Sequence, residues 1–180
     1  MDAGGFALFD TAIGTCGIAW GPRGIDGVRL PEAHPESARS RMARRFAPRP
    51  EADPPPDVLR AIDSVRALME GQPLDLLDIA LDYEGVTELH RRIYEIARRI
   101  PPGRTRSYGE IAAELGDKSL ARAVGQALGL NPFAPVVPCH RVLAAGGRLG
   151  GFSAPGGLDA KLRMLAIEGA RPDSDNASLF

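Results

Sequence analysis

The chain has 180 residues, 44% hydrophobic and 25% charged, with a formal charge of -1, a composition that suits one large or two small globular domains. No apolar run reaches about 18 residues and no basic segment leads into an apolar one at the N-terminus, so neither a membrane span nor a secretory signal is expected, and the expected compartment is the cytoplasm. The two cysteines, Cys16 and Cys139, lie far apart and fit reduced thiols better than a disulfide framework; with His34, His90 and His140 they form no C-x-x-C or H-x-x-x-H pair to seed a zinc site, so no metal is expected.

Charge is unevenly spread. Residues 1–90 hold 9 Lys/Arg against 15 Asp/Glu, and residues 91–180 hold 13 against 8. The second half is therefore the candidate for binding a polyanion. In the first half, Gly5–Thr11, Gly14–Trp20 and Ile25–Leu30 read as three strands of a meander separated by Gly/Pro/Asp clusters. Cys16 falls in the second strand with no basic neighbour and reads as a buried structural thiol. Pro35-Glu36-Ser37 opens a helix to about Phe46, with His34 at its start as a surface or capping side chain. Five prolines between Ala47 and Asp57 demand an exposed connection. The spacing predicts a helix from Val58 to about Met69, with Leu59, Ile62, Val65 and Leu68 inward, and the alternation of Leu77, Ile79 and Leu81 predicts one more strand over 76–82.

Thr87–Ile100 reads as a helix with Leu89, Ile93, Ile96, Ala97 and Ile100 on one face, stopped by Pro101-Pro102-Gly103; His90 on it is read as a surface side chain. Ser107-Tyr108-Gly109-Glu110 fits a capping box, which starts a short helix to about Leu115. After a Gly116-Asp117 turn, Ser119 is the expected cap of a second helix, Leu120–Leu128. Two short helices about a tight turn read as a helix-turn-helix. Lys118, Arg122 and Gln126 recur every four residues on the second helix, beside a nearly bare strip at Ala121 and Gly125. That strip either lets the backbone approach a nucleic acid or packs a neighbouring helix.

Pro135-Val136-Val137-Pro138-Cys139-His140-Arg141-Val142 is the stretch on which the chemistry centres. Pro138 pushes Val137 toward an extended conformation, so Cys139 is expected on a rigid non-helical segment. His140 and Arg141 can each stabilise a thiolate, by hydrogen bonding or by charge. Neighbouring side chains on an extended segment face opposite ways, so coupling between Cys139 and His140 requires a bridging water or a bend. The glycine-rich run Gly146–Gly157, with Phe152 and Ser153, lacks the pattern of a phosphate loop or a dinucleotide fold; it is either an ordinary turn or a loop whose backbone reaches a flat ligand. A last helix from Leu158 to about Glu168 has Leu158, Leu162, Leu165 and Ala166 inward, and Glu168 at its end is a candidate to orient a histidine. Residues 171–180 read as a frayed polar tail.

Taken together, Pro138-Cys139-His140-Arg141-Val142, Arg122-Ala123-Val124-Gly125 and Asn131-Pro132 resemble the O6-alkylguanine-DNA alkyltransferases, the methylated-DNA-protein-cysteine methyltransferases. The resemblance is close over 87–169; the N-terminal half is similar only in its order of elements. It implies an α/β protein in which a ribonuclease-H-like α/β domain (1–85) precedes a mainly helical domain with a helix-turn-helix (86–170). It also implies that Cys139 is the alkyl acceptor, activated through a water by His140, which Glu168 orients, while Asn131 tethers the turn. Tyr108, Ser153 and Phe152 would line the guanine pocket, with Tyr108 also helping to protonate the departing base; Phe152 stands where tyrosine is frequent, which bears on the alkyl size accepted. Arg122, Ala121, Gly125 and Arg141 are the expected DNA-contacting residues, Arg122 filling the gap left by a flipped nucleotide. The expected partner is double-stranded DNA containing O6-alkylguanine, bound by a monomer with no cofactor and no metal. The competing readings are a non-catalytic binder of alkylated bases, against which Cys139 speaks, and a Cys-His hydrolase, for which no oxyanion hole is identifiable.

Overall fold

A computed structural model of the chain describes residues 4–32, 36–144 and 157–170, with side chains from residue 160 onward in the last segment. Strands β1 (Gly5–Thr11), β2 (Gly14–Gly21) and β3 (Gly24–Arg29) form the expected antiparallel meander, in the order β1-β2-β3. Two-residue turns join them, and Gly14 and Gly24 close those turns at φ of +128° and +132°, a region open to glycine but hardly to other residues.

Alternation along β1 sends Phe6 and Leu8 to one face of the sheet and Ala7 and Phe9 to the other. Helix α1 (Ala38–Arg45) covers the first face through Met42 and Phe46. It comes so close that a Cβ added at Gly17 would lie 2.5 Å from Met42 Sδ, and one at Gly27 2.3 Å from Phe46 Cζ. Helix α2 (Pro56–Met69) covers the other face with Val58, Ala61, Ile62, Val65, Leu68 and Met69. Leu59, expected inward, is 47% exposed. Cys16 lies in this second core, fully buried, and burial pushes its thiol up to about 11.

The proline-rich connection is less free than its composition suggests. Phe6 N-H donates to Pro50 O and Ala52 N-H to Phe6 O, both at 3.0 Å, so this stretch borders the outer edge of β1. Arg49 clamps it with a two-pronged pair to Asp26 at 2.8 and 2.6 Å. The strand expected over 76–82 is not formed. Leu76 takes φ +58°, Leu77 is 47% exposed, and only one bridge, Ile25 to Leu81, joins the stretch to β3. Arg98 explains the difference, because its guanidinium takes the carbonyls of Leu76 and Ile79 at 3.0 and 2.9 Å and holds them in a turn.

Helix α3 (Glu88–Arg98) is capped by Thr87, whose hydroxyl accepts from His90 N-H. Besides Ile93, Ile96 and Ala97 it buries Tyr94, which the sequence pattern did not single out. The remaining elements are β4 (Arg106–Ser107), α4 (Tyr108–Glu114), α5 (Ala121–Gly129), β5 (Val142–Leu143) and α6 (Gly157–Ile167). One apolar cluster runs unbroken from Phe9, Ile18 and Val65 to Ile111, Val124 and Val137, and Val28 N-H donates to Pro132 O at 2.9 Å. The sheet therefore braces the segment that leads into Cys139. No helix among the described residues is long and apolar enough to cross a membrane.

Candidate functional site

Ser107 caps α4 by accepting from Glu110 N-H at 3.0 Å, while the Glu110 carboxylate turns toward Arg106 at 3.7 Å. Gly116, at φ +98°, ends α4. The cap of the next element is Asp117 rather than Ser119: its carboxylate accepts from Ser119 N-H at 2.9 Å and from Ser119 Oγ at 2.6 Å, and starts a single 3-10 turn, Lys118–Leu120, before α5. Tyr94 Oη donates to Ala127 O at 2.7 Å and fixes the far end of α5 to α3. Arg122 and Gln126 are exposed along α5, and Lys118 is exposed on the 3-10 turn before it. Gly125 faces inward onto Tyr108, where an added Cβ would stand 3.8 Å from the ring, and Ala121 is half-buried.

A two-residue parallel ladder pairs Arg106 with Val142 and Ser107 with Leu143. This short contact sets the start of α4, and so Tyr108, against the cysteine turn. Tyr108 is half-buried, and burial followed by the nearby Cys139 pushes its phenol up.

The cysteine turn is built from Asn131. Its Oδ1 accepts from Phe133 N-H at 2.9 Å, and its Nδ2 donates to Val137 O at 2.7 Å. Val137 O also accepts from Cys139 N-H at 2.9 Å, which makes Pro138 (φ -82°, ψ 70°) the centre of an inverse γ-turn. Cys139–Arg141 then forms one turn of 3-10 helix, not an extended segment. This is the bend that adjacent Cys and His side chains need in order to cooperate.

Helix α6 stops in a Schellman motif. Gly169 takes φ +80°, Gly169 N-H donates to Ala166 O at 3.1 Å and Ala170 N-H to Leu165 O at 2.8 Å. Glu168 is thereby fixed at the helix C-terminus, where a carboxylate is disfavoured by the helix dipole. Arg141 offsets that cost. Its Nε and Nη2 donate to Glu168 at 2.9 and 2.6 Å, and its Nη1 donates to Ile100 O at 2.8 Å. The expectation that Arg141 contacts DNA is therefore corrected: it is 1% exposed and its donors are committed to Glu168 and Ile100. Burial would raise the Glu168 carboxyl, but the hydrogen bonds from Arg141 and His140 prevail and bring it to about 2.

His140 Nε2 lies 2.8 Å from Glu168 Oε1. An ionised Glu168 can only accept, so Nε2 carries the proton and Nδ1 is left basic. Nδ1 is buried and makes no hydrogen bond among the described residues. Burial lowers the imidazole pKa despite the Glu168 hydrogen bond. Cys139 is 6% exposed; burial pushes its thiol up, opposed by the Asn131 hydrogen bond, then the Lys161 charge, then the backbone N-H groups of the turn.

Lys161 is the residue that the sequence reading missed. Its side chain is fully buried, its Nζ donates to Val142 O at 2.9 Å, and burial lowers its pKa to about 8 although Cys139 acts the other way. The inward positions of α6 are Lys161, Met164, Leu165 and Glu168, while Leu162, expected inward, is 41% exposed. Once Glu168 is taken as inward, stepping back three, four and seven residues along a helix reaches Lys161. Ser153, Phe152, the glycine-rich run 146–156, His34 and the tail 171–180 lie outside the described residues.

The fold and the site together define a mixed α/β protein with one buried, activatable cysteine beside a histidine held by a carboxylate. Residues 88–170 match the family described as 6-O-methylguanine DNA methyltransferase, DNA binding domain. A methylated-DNA--protein-cysteine methyltransferase of Mycobacterium tuberculosis is 36% identical over 170 residues, 94% of this chain and 95% of that protein. Its namesake from Mycolicibacterium paratuberculosis is 49% identical over 60% of this chain, an alignment that spans 63% of the relative's length. A DNA base-flipping protein of Thermus thermophilus is 48% identical over 62% of this chain and 74% of its own. The crystal structure of Mycobacterium tuberculosis OGT in complex with DNA superposes with a TM-score of 0.73 at 33% identity, covering 97% of this chain and 99% of the other. The chain belongs to the methylated-DNA-protein-cysteine methyltransferase family.

Proposed function

We propose that the chain repairs alkylated DNA by transferring the alkyl group of O6-alkylguanine, in duplex DNA, irreversibly to its own Cys139. The observation that carries this reading is the Cys139-His140-Glu168 arrangement: a buried thiol on a turn whose neighbouring imidazole has one nitrogen bound to an ionised carboxylate at 2.8 Å and the other free to accept. His140 Nδ1 takes the thiol proton, through a water, as Cys139 Sγ attacks the alkyl carbon. The carbon-O6 bond breaks, guanine leaves with the electron pair, and Tyr108 delivers the proton that neutralises it. A thioether does not hydrolyse, so each molecule acts once and needs no cofactor. The attacked carbon is inaccessible within a duplex, so the base must be flipped out at a cost of roughly a few kcal/mol.

Asn131 tethers the cysteine turn through its bonds to Phe133 and Val137. The α4-turn-α5 pair is the helix-turn-helix, and exposed Arg122 on α5 occupies the gap left by the flipped nucleotide. Ala121 and Gly125 let the α5 backbone approach the duplex. Phe152 and Ser153 complete the base pocket. Residues 1–85 form the ribonuclease-H-like unit, a reading supported by the meander with helices on both faces, and 86–170 form the reactive unit.

The test is to incubate the protein with duplex DNA carrying one O6-methylguanine and weigh the intact chain. One methyl group is gained, maps to Cys139 and is absent in Cys139→Ala. Tight binding without mass gain would favour the non-catalytic binder. Multiple turnovers would overturn the single-use mechanism.

A further inference from the structure

A concavity of about 370 Å³ lies between α1 and the ends of β2 and β3, and is lined by Arg29, Arg41, Arg44 and Arg45 together with Glu32, Leu30 and Met42. None of these residues enters the chemistry at Cys139. Arg41, Arg44 and Arg45 stand three and four residues apart on α1 and so share one face, while Arg29 reaches the same space from the end of β3. Arg41 pairs with Glu32, and Arg44 pairs with Glu36 at 2.6 Å. Among the described residues no carboxylate lies within 4 Å of Arg29 or Arg45, so two positive charges face the cavity unneutralised. Arg44 and Arg45 also suit the C-terminal end of α1 electrostatically; Arg29, on a strand, has no such local reason to be there. Burial, then the charge of Arg45, lowers the Arg29 pKa, and Arg41 is lowered by burial and by Arg29 and Arg44. The repulsion among these cations is relieved by an anion.

We propose that this cavity is a phosphate-binding site, with Arg29 and Arg45 as the two ligands of a phosphate group. Guanidinium forks match phosphate oxygens in pairs, and two such forks neutralise a phosphate monoester dianion. Leu30 and Met42, both buried, form the apolar floor of the cavity beneath these exposed guanidinium groups. The phosphate can come from a small phosphate monoester or from a DNA strand, and the two sources separate experimentally.

The probe is inorganic phosphate, titrated into the whole protein at constant ionic strength against chloride and followed by phosphorus NMR. A saturable shift is expected, with at least tenfold weaker binding in Arg29→Gln/Arg45→Gln and only a few-fold change in the charge-preserving Arg45→Lys. Circular dichroism and the alkyl-transfer rate report that the variants are folded. Unmodified duplex DNA forms the second arm. Duplex affinity that falls tenfold in the double variant assigns the site to a strand phosphate, and unchanged affinity assigns it to a small monoester. A wild-type response to phosphate no different from that to chloride, or equal phosphate binding by the folded double variant, overturns the proposal.

Discussion

Lys161→Met isolates what a buried ammonium does beside a nucleophile. In the folded chain the lysine titrates at about 8 instead of the usual 10.5, which at 1.36 kcal/mol per pKa unit means that its charged form costs about 3 kcal/mol at neutral pH. The sign follows from proton counting. Between pH 8 and 10.5 the unfolded lysine holds its proton while the folded one has released it, so this residue makes stability rise across that window. Methionine keeps the volume of the stem and removes both the cost and the rise, but strands Val142 O, for roughly 1–3 kcal/mol. At pH 7 the two effects nearly cancel, and at pH 10.5 only the loss remains. Urea unfolding of both proteins at pH 7 to 10.5 reads the difference, to which the further rise of the Cys139 thiol in the variant also contributes; Cys16, raised to about 11 in both, drops out of the comparison. In the same variant Cys139 loses the positive charge that favours its thiolate. A neighbouring opposite charge moves a titration by roughly one to three units, so alkylation of Cys139 by iodoacetamide, located by mass spectrometry, should slow at least about tenfold at neutral pH. An identical pH-rate profile together with an identical stability rise would refute the argument.

Arg122→Ala removes an exposed side chain and should leave stability within about 0.5 kcal/mol, while repair of duplex O6-methylguanine slows and reaction with the free alkylguanine base does not; equal losses with both substrates would remove the base-extrusion role. Glu168 titrates at about 2 in the fold against about 4.3 unfolded, so it contributes stability that is complete above about pH 4.3 and lost as pH falls toward 2; Glu168→Gln should abolish that acid limb in a pH-denaturation series and cost about 3–5 kcal/mol at pH 7 by leaving Arg141 unpaired. Gly27→Ala would drive a methyl to 2.3 Å from Phe46 Cζ and should cost about 1–3 kcal/mol in urea unfolding, with α1 displaced rather than the cysteine site.

What was legible in the chain was what local chemistry decides. Glycines and Asp/Pro clusters punctuate the meander, and Ser107 and Thr87 mark the helix starts because capping acts within three residues. Alternation over 76–82 misled because a period of two over seven residues is a short pattern, and Arg98, on a different element, takes the carbonyls that a strand would have used. Arg141 misled for a related reason. The family resemblance implied a DNA contact, and only the return of α6, placing Glu168 2.6 Å away, shows that it is buried. Lys161 was hidden by the habit of giving inward helical positions to apolar residues alone.

Arg141 and Lys161 belong to one division of labour. A carboxylate bonded to an imidazole normally raises its pKa and favours the imidazolium, which would disable it as a base. Here Arg141 takes both oxygens of Glu168 and burial disfavours the charged ring, so Glu168 can fix the tautomer of His140 without charging it. Among the described residues Lys161 is the cation whose charge lowers the Cys139 pKa, and in the proposed reaction it favours the thiolate. In the proposed reaction Glu168 orients, His140 accepts the proton and Lys161 favours the thiolate, while burial raises the Cys139 pKa and keeps the thiol protonated at rest. A thiol in that state is a poor target for adventitious oxidation. For a residue that can be used only once, a nucleophile kept neutral until its target arrives preserves the single reaction the chain can perform.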